Sequence, residues 1–337
     1  MTLRILPLAV TMGDPAGCGP QITAEAWTHR ATNQQAPFFV VGDPRLYQDQ
    51  VPTQTIQSCA EAEEVYSEAL PVLEITCPDF DHLTPGAPSK VFAPAIIESI
   101  EKATAFCLDG EASGIVTNPI SKSILYEAGF KFPGHTEFIA DLCTKTIGSQ
   151  CRPVMMLVGG GLRVALATIH VPLMRVAQLL TPALLTEIAE ITHRAVQRDF
   201  GIEEPRLAFS GLNPHAGEDG NIGTEERDVI NPVASALRHR GIQITDARPG
   251  DTVFHEALNG TYDAVIAMTH DQGLIPVKTL DMWGGVNTTL GLPIVRTSPD
   301  HGTAYEAAAR RVCRPDSLLA ALKLAETVAT QRASDLV

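Results

Sequence analysis

Aromatic residues make up only 5 % of the 337-residue chain, so aliphatic side chains must fill its core. That usage suits packed α/β layers better than an all-β sandwich. Positive charge is also scarce: 25 Lys and Arg stand against 39 Asp and Glu, a formal charge of −14. Phosphate-rich partners are repelled by such a field, which excludes nucleic acid and anionic membrane surfaces as general partners. A small anionic substrate then needs a few cations focused in a cleft. The seven cysteines, Cys18, Cys59, Cys77, Cys107, Cys143, Cys151 and Cys313, include no CxxC pair. They read as free thiols in a reducing compartment. Cys18 lies in a Gly-rich turn with no histidine beside it in sequence, so a nucleophilic role is not assigned to it. No apolar run is long enough to cross a bilayer; the one in MTLRILPLAVTMGDPAG reads as a first strand, and the cytoplasm is the simple assignment. Repeats, low-complexity tracts and Ser/Gly linkers are missing too.

What is present is an ordinary globular composition, 45 % hydrophobic and 19 % charged, in a chain long enough for two domains. Strand-like runs alternate with helical patterns, the sign of an α/β protein with a largely parallel sheet. LPLAVTM, APFFVVGD, VLEIT, SGIVTNP, RLAFSGLNP and DAVIAMTHD read as strands. QITAEAWTHRA, AEAEEVYSEAL, SKVFAPAIIESIEKATAFCLDG, SKSILYEAGF, TPALLTEIAEITHRAVQRDFG and DSLLAALKLAETVATQR read as helices, with stops at Gly110 and Gly201. PVMMLVGGGLRVALATIH reads as two strands joined by a glycine triplet, a hairpin within a parallel pattern. GDPAGCGP matches neither GxGxxG nor a phosphate-binding loop and reads as a tight strand-to-helix turn, with Pro20 near the helix start.

The chemically loaded segments TMGDPAG, VTNP, ATIH, SGLNPHAGEDG and MTHDQG all fall at the C-terminal ends of expected strands, where open α/β sheets bind ligands. His170, His215 and His270 each follow an apolar strand and open a loop. One histidine in such a place is ordinary, but three at equivalent ends suggest imidazole ligands for a divalent ion with positions left for substrate. His135 in FPGHTEF, beside Thr136, points instead to anion or hydroxyl binding. His301 reads either as a ligand contact or, better, as a local cap. Lys278, Asn287 and Arg296 are spaced through an apolar, Gly/Pro-rich stretch that suits anion recognition, although outward-snorkelling cations are an equal reading for either charge alone.

Together TMGDPAGCGP, VTNPISK, GHTEF, IHVPL, SGLNPHAGEDGNIGTEE, THDQGLIPVK and GVNTTLGLPIVRTSPDHGTA resemble the 4-hydroxythreonine-4-phosphate dehydrogenase family of pyridoxal phosphate biosynthesis. The likeness runs to about residue 305. It implies two α/β/α domains with a cleft between them, like isocitrate and isopropylmalate dehydrogenases. The first is expected over 1–130 plus about 290–337; the second, over about 131–289, is expected to carry the metal ligands and the dimer interface. The resemblance further implies His170, His215 and His270 as ligands of one divalent metal (Zn, Mg or Co). His135, Thr136, Lys278, Asn287 and Arg296 fall on substrate positions, and Asp251 lies near the substrate, with Asp251 and Lys278 as candidate bases. It implies NAD or NADP as hydride acceptor, with no cofactor-binding residue assigned, and a homodimer in which the residue matching His270 comes from the partner subunit. The expected reaction is oxidation of 4-phosphohydroxy-L-threonine to a β-keto acid that loses CO₂. Related activities on erythronate or threonate 4-phosphate or on aromatic cis-dihydrodiols, and a non-catalytic metal-binding protein, are the alternatives. The chain departs from the family pattern at YEAAARRVCRP after DHGTA and at Met282 and Trp283.

Overall fold

The structure, a computed structural model, describes residues 5–334. The chain divides into two compact units, one running up to Pro153 and resuming at Leu292, the other Val154–Gly291. Each is an α/β layer structure, the class the sequence patterns imply.

The first unit contains β1 (Leu8–Thr11), α1 (Gly19–Thr28), β2 (Phe38–Gly42), β3 (Thr53–Ile56), α2 (Ala62–Val65), β4 (Leu70–Glu74), α3 (Ala93–Leu108), β5 (Ile115–Val116), α4 (Lys122–Glu127) and α5 (His135–Ile147). The second contains β6 (Val154–Gly159), β7 (Leu162–Leu166), α6 (Leu173–Leu179), α7 (Pro182–Phe200), β8 (Leu207–Ser210), α8 (Asn231–His239), β9 (Ile244–Arg248), α9 (Val253–Leu258), β10 (Ala264–Ala267), α10 (His270–Leu280) and β11 (Val286–Leu290). The chain then completes the first unit with β12 (Arg296–Pro299), α11 (Tyr305–Arg310) and α12 (Asp316–Ser334).

Strands of the first unit lie in the order β3-β4-β2-β1-β5-β12, all parallel. After β1 the chain moves to one side, and after β4 it crosses to the other, so the order reverses between β1 and β5. Ligand crevices of open parallel sheets lie at such reversals, outside the carboxyl ends. Gly13 marks the spot, because a Cβ there would sit 2.7 Å from Asn118 Cβ. Asn118 Nδ2 donates to Thr11 O and Thr23 Oγ1, tying both strand ends to α1.

Strands of the second unit run β11-β6-β7-β10-β8-β9. The expected hairpin is there: β6 and β7 pair antiparallel around Gly160 and Gly161, both at positive φ. β7, β10, β8 and β9 are parallel, and here the order reverses between β10 and β8. The core is aliphatic, as aromatic scarcity requires; Leu185, Ile188, Ala189 and Val196 of α7 pack with Phe209, Ile230 and Ile266. Their spacing by three, four and seven residues puts one face of α7 on the sheet, and each fully buried Leu or Ile adds roughly 1.5–3 kcal/mol. Thr181 caps α7 by accepting from Leu184 N–H, and Gly201 ends it in the left-handed region.

The structure moves the expected boundary near residue 130 to Pro153. The cause is α5, which packs on α3 and joins a cluster of Phe130, Phe132 and Phe138. The segment after His270, read as a polar loop, is helix α10. Gly273 makes this possible, because a Cβ there would come within 2.5 Å of Leu166 Cδ2, so the helix lies directly on β7. Pro276 is carried inside it. The expected helix over AEAEEVYSEAL shrinks to the single turn α2, and β3, β9, β11 and β12 join the sheets without having been expected. No helix among the described residues is long and apolar enough to cross a membrane.

Candidate active site

The reversal point of the second unit gathers the histidine loops. Thr168 Oγ1, just past β7, donates to Met268 O, just past β10, at 2.6 Å. This bond joins the strand ends that lead to His170 and His270, whose ring centroids are 5.5 Å apart. Gln272, in the first turn of α10, extends the connection. Its Oε1 accepts from Met268 N–H and its Nε2 donates to Gly211 O just past β8. Gly211 N–H in turn donates to Arg248 O at the end of β9. Neither Thr168 nor Gln272 stood out in the sequence; only their place beside the histidine motifs could have drawn attention to them.

Two of the three histidines stand on unusual backbone. His170 has φ of 45°, and His215 opens five consecutive left-handed residues through Asp219. Four of the five carry side chains, at a cost of roughly 1–2 kcal/mol each. Such conformations persist only where their surroundings enforce them, and they cluster at functional sites. Here the enforcement comes from Asn213 and Glu226. The buried Glu226 carboxylate accepts from Asn213 N–H at 2.7 Å and from Asn213 Nδ2 at 2.9 Å. Gly217 passes so close that a Cβ would lie 2.7 Å from Glu226 Oε2.

His270 is the first residue of α10, following the cap residue Thr269, and its Nδ1 bonds Asp271 Oδ1 at 2.8 Å. A carboxylate on Nδ1 favours that nitrogen as the donor and leaves Nε2 as the acceptor, the usual preparation of a metal-binding imidazole. Among the described residues of one chain, no three His, Cys, Asp or Glu side chains form a complete ligand group. The donor chemistry nevertheless fits a divalent first-row ion, with His170 and His270 adjacent and His215 on the neighbouring strand-end loop. Asp251 is exposed on the loop after β9, next to Gly250, whose Cβ would sit 3.0 Å from Gln272 Nε2. Lys278 is half-buried on α10, and Asn287 lies on β11 with a sealed Oδ1 that has no hydrogen-bond partner.

The remaining expected substrate residues belong to the first unit. His135 and Thr136 open α5 directly after Gly134, and Arg296 opens β12. Arg296 is 3 % exposed, so the outward-snorkelling reading is wrong for it. It donates from Nη2 to Thr117 Oγ1 at 2.8 Å. Burial, opposed by Glu137, brings its guanidinium down to about 10. Burial also holds the His135 imidazole well below its ordinary range, with Arg296 and Lys122 pushing the same way. His135 is therefore neutral at pH 7, and its Nε2 is sealed without a hydrogen-bond partner among the described residues.

His301 is not the capping residue expected. Its Nδ1 lies 3.9 Å from Cys18 Sγ and 3.0 Å from Gly302 O. Cys18 thus has a histidine beside it after all, supplied by the far end of the chain. Burial pushes that thiol up to about 12, so it stays protonated. Asp14 is buried between Ala16 N–H and the Tyr305 hydroxyl, which donates to it at 2.6 Å. All seven cysteines are free.

Residues 34–325 match the family of pyridoxal phosphate biosynthetic protein PdxA. The chain belongs to the PdxA family. A relative from Maricaulis maris, named 4-hydroxythreonine-4-phosphate dehydrogenase, is 50 % identical over 98 % of this chain and 99 % of its own length. The crystal structure of the enzyme of that name from Klebsiella pneumoniae matches 96 % of this chain and 99 % of its own, with a TM-score of 0.85 and 34 % identity. A terephthalate 1,2-cis-dihydrodiol dehydrogenase from Burkholderia xenovorans is more distant, at 25 % identity and a TM-score of 0.65 over 96 % and 98 % of the two chains. The enzymes named 4-hydroxythreonine-4-phosphate dehydrogenase are thus nearer this chain than that diol enzyme.

Proposed function

We propose that the protein oxidises 4-phosphohydroxy-L-threonine to 2-amino-3-oxo-4-phosphonooxybutanoate, which decarboxylates to 3-amino-2-oxopropyl phosphate, in pyridoxal phosphate biosynthesis. The observation carrying this reading is the near-complete, 50 % identical match to an enzyme of that name, coupled to histidines prepared at adjoining strand ends. His170, His215 and His270 would hold a divalent ion, Zn, Mg or Co, whose Lewis acidity makes a bound hydroxyl more acidic. NAD or NADP would serve as hydride acceptor. A cavity of about 440 Å³ in the first unit, beside the β1 turn and lined by Gly17, Pro20, Arg45, Phe80 and Arg311, has room for the adenosine half of such a cofactor.

The protein's own groups bind and orient. His135 and Thr136, with Lys278, Asn287 and Arg296, anchor the phosphorylated substrate. A neutral His135 donates or accepts a hydrogen bond there without adding charge. Asp251 or Lys278 takes the hydroxyl proton. The active form is a homodimer that shares its site: beside His170 and His215 of one subunit, the third ligand, matching His270, comes from the other. Exposed Leu173, Met174 and Ile275, on the elements that follow His170 and His270, supply apolar surface for a second copy to cover. A reducing, cytoplasmic setting belongs to the same reading, in keeping with seven free thiols.

The test follows NAD(P)H absorbance with purified protein, 4-phosphohydroxy-L-threonine and Zn²⁺, Mg²⁺ or Co²⁺, beside His215→Ala. Metal-dependent turnover that the variant loses is expected. Reduction seen only with erythronate or threonate 4-phosphate, or only with an aromatic dihydrodiol, would replace the substrate. Metal binding without turnover of any of them would overturn the enzymatic reading.

A further inference from the structure

Lys122 is the first residue of α4, an exposed cation held in no ion pair with any described residue. Its side chain does not point into empty solvent. A Cβ built on Gly134 would lie 3.3 Å from Lys122 Cε and 3.7 Å from its Nζ, so the ammonium rests against the residue that opens α5. Gly134 has no side chain with which to cap that helix, and the thirteen residues of α5 present their first N–H groups there. Helix starts of this kind favour anions. Two further features point to a ligand. His135 Nε2 is sealed from water with no hydrogen-bond partner among the described residues, and the charges of both Arg296 and Lys122 act on that imidazole. Lys122 and Arg296 thus flank the same helix start, one exposed and one buried, with Glu137 as the nearby carboxylate.

We propose that Lys122 is a further substrate-binding residue, closing over the phosphoryl group that Arg296, His135 and the α5 N-terminus receive. The division of labour follows from the two side chains. Arg296 is fixed by burial and by its bond to Thr117, and supplies direction. Lys122, on a flexible stem, supplies a point charge that moves onto the anion once it arrives. A side chain at Gly134 would press on the lysine stem, whose Cε lies 3.3 Å from where its Cβ would stand.

This proposal rests on the phosphorylated substrate of the preceding section, so its test has one arm that needs no turnover. Lys122→Met and Lys122→Arg would be compared with the unaltered protein in steady-state kinetics with 4-phosphohydroxy-L-threonine. Binding of inorganic phosphate would be followed in parallel by ³¹P line broadening. Lys122→Met should raise KM at least tenfold, a larger effect than on kcat, and weaken phosphate binding by a similar factor. Lys122→Arg should recover most of both. Phosphate binding that depends on Lys122 in a protein inactive toward this substrate would uphold the lysine's role and overturn the substrate assignment. Unchanged KM and unchanged phosphate binding in Lys122→Met would overturn the proposal for Lys122 alone, as would a loss that Arg fails to recover.

Discussion

Gly217 offers the most direct test of how the His215 loop is held. Replacing it with Ala puts a side chain at φ +80°, which costs roughly 1–2 kcal/mol in the left-handed region. The added methyl also meets Glu226 Oε2 at 2.7 Å and Gly223 O at 2.8 Å. Glu226 is buried and occupied with Asn213, so it has no free direction in which to yield. Losing one of these charge-assisted bonds adds about 1.5–3 kcal/mol. The sum is about 2.5–5 kcal/mol, and at roughly 2–4 °C per kcal/mol it lowers Tm by on the order of 10 °C. Gly260→Ala is the control, because Gly260 has φ +78° in the same unit with nothing within 4 Å of the new Cβ. It pays only the backbone cost, part of which reduced freedom of the unfolded chain returns. Differential scanning calorimetry of both variants, with titration by Co²⁺, makes the comparison. Gly217→Ala should melt well below Gly260→Ala and bind Co²⁺ more weakly. Equal melting temperatures would refute the argument that Glu226 and Asn213 enforce the left-handed turn.

Two further outcomes follow from the same geometry. Asp271→Asn should weaken divalent-ion affinity about 10- to 100-fold in calorimetric titration, because the imidazole of His270 loses the carboxylate that orients it; unchanged affinity would remove Asp271 from the site. His135 binds its proton less readily in the folded protein than at its ordinary value of 6.5. The unfolded chain therefore takes up more protons below that pH. The stability tied to a neutral His135 is complete above about 6.5 and falls as pH drops toward the depressed folded value. His135→Asn should flatten this acid limb in denaturant titrations at successive pH values, and an unchanged slope would show that other groups govern it.

Much of the architecture was legible because local signals agreed with the tertiary outcome. The GGG hairpin, the stop at Gly201 and the placement of histidines at strand ends each depend on residues close in sequence, and each is found. What escaped depends on distant partners. Helix α10 contains Gly and Pro, which locally argue against a helix, yet Gly273 is needed for contact with β7. Arg296 reads as an edge cation until Thr117, just past β5, bonds it in a buried position. The neighbour of Cys18 is almost three hundred residues away. Candidate ligands were thus readable from their positions, but the residues that hold them, Thr168, Asn213, Glu226 and Gln272, were not, since a hydrogen bond across strand ends leaves no periodic trace.

The links among Thr168, Met268, Gln272, Gly211 and Arg248 make four neighbouring strand ends move as one piece. An extra residue near 168, 211, 249 or 268 therefore disturbs loops that it does not belong to. At the opposite ends of β9 and β10 the turns around Gly241 and Gly260 open into space, where an added side chain meets nothing. Lengthening should be tolerated at that face and not at the other. Changes of outline in this unit are therefore expected at the turns around Gly241 and Gly260, away from its histidines.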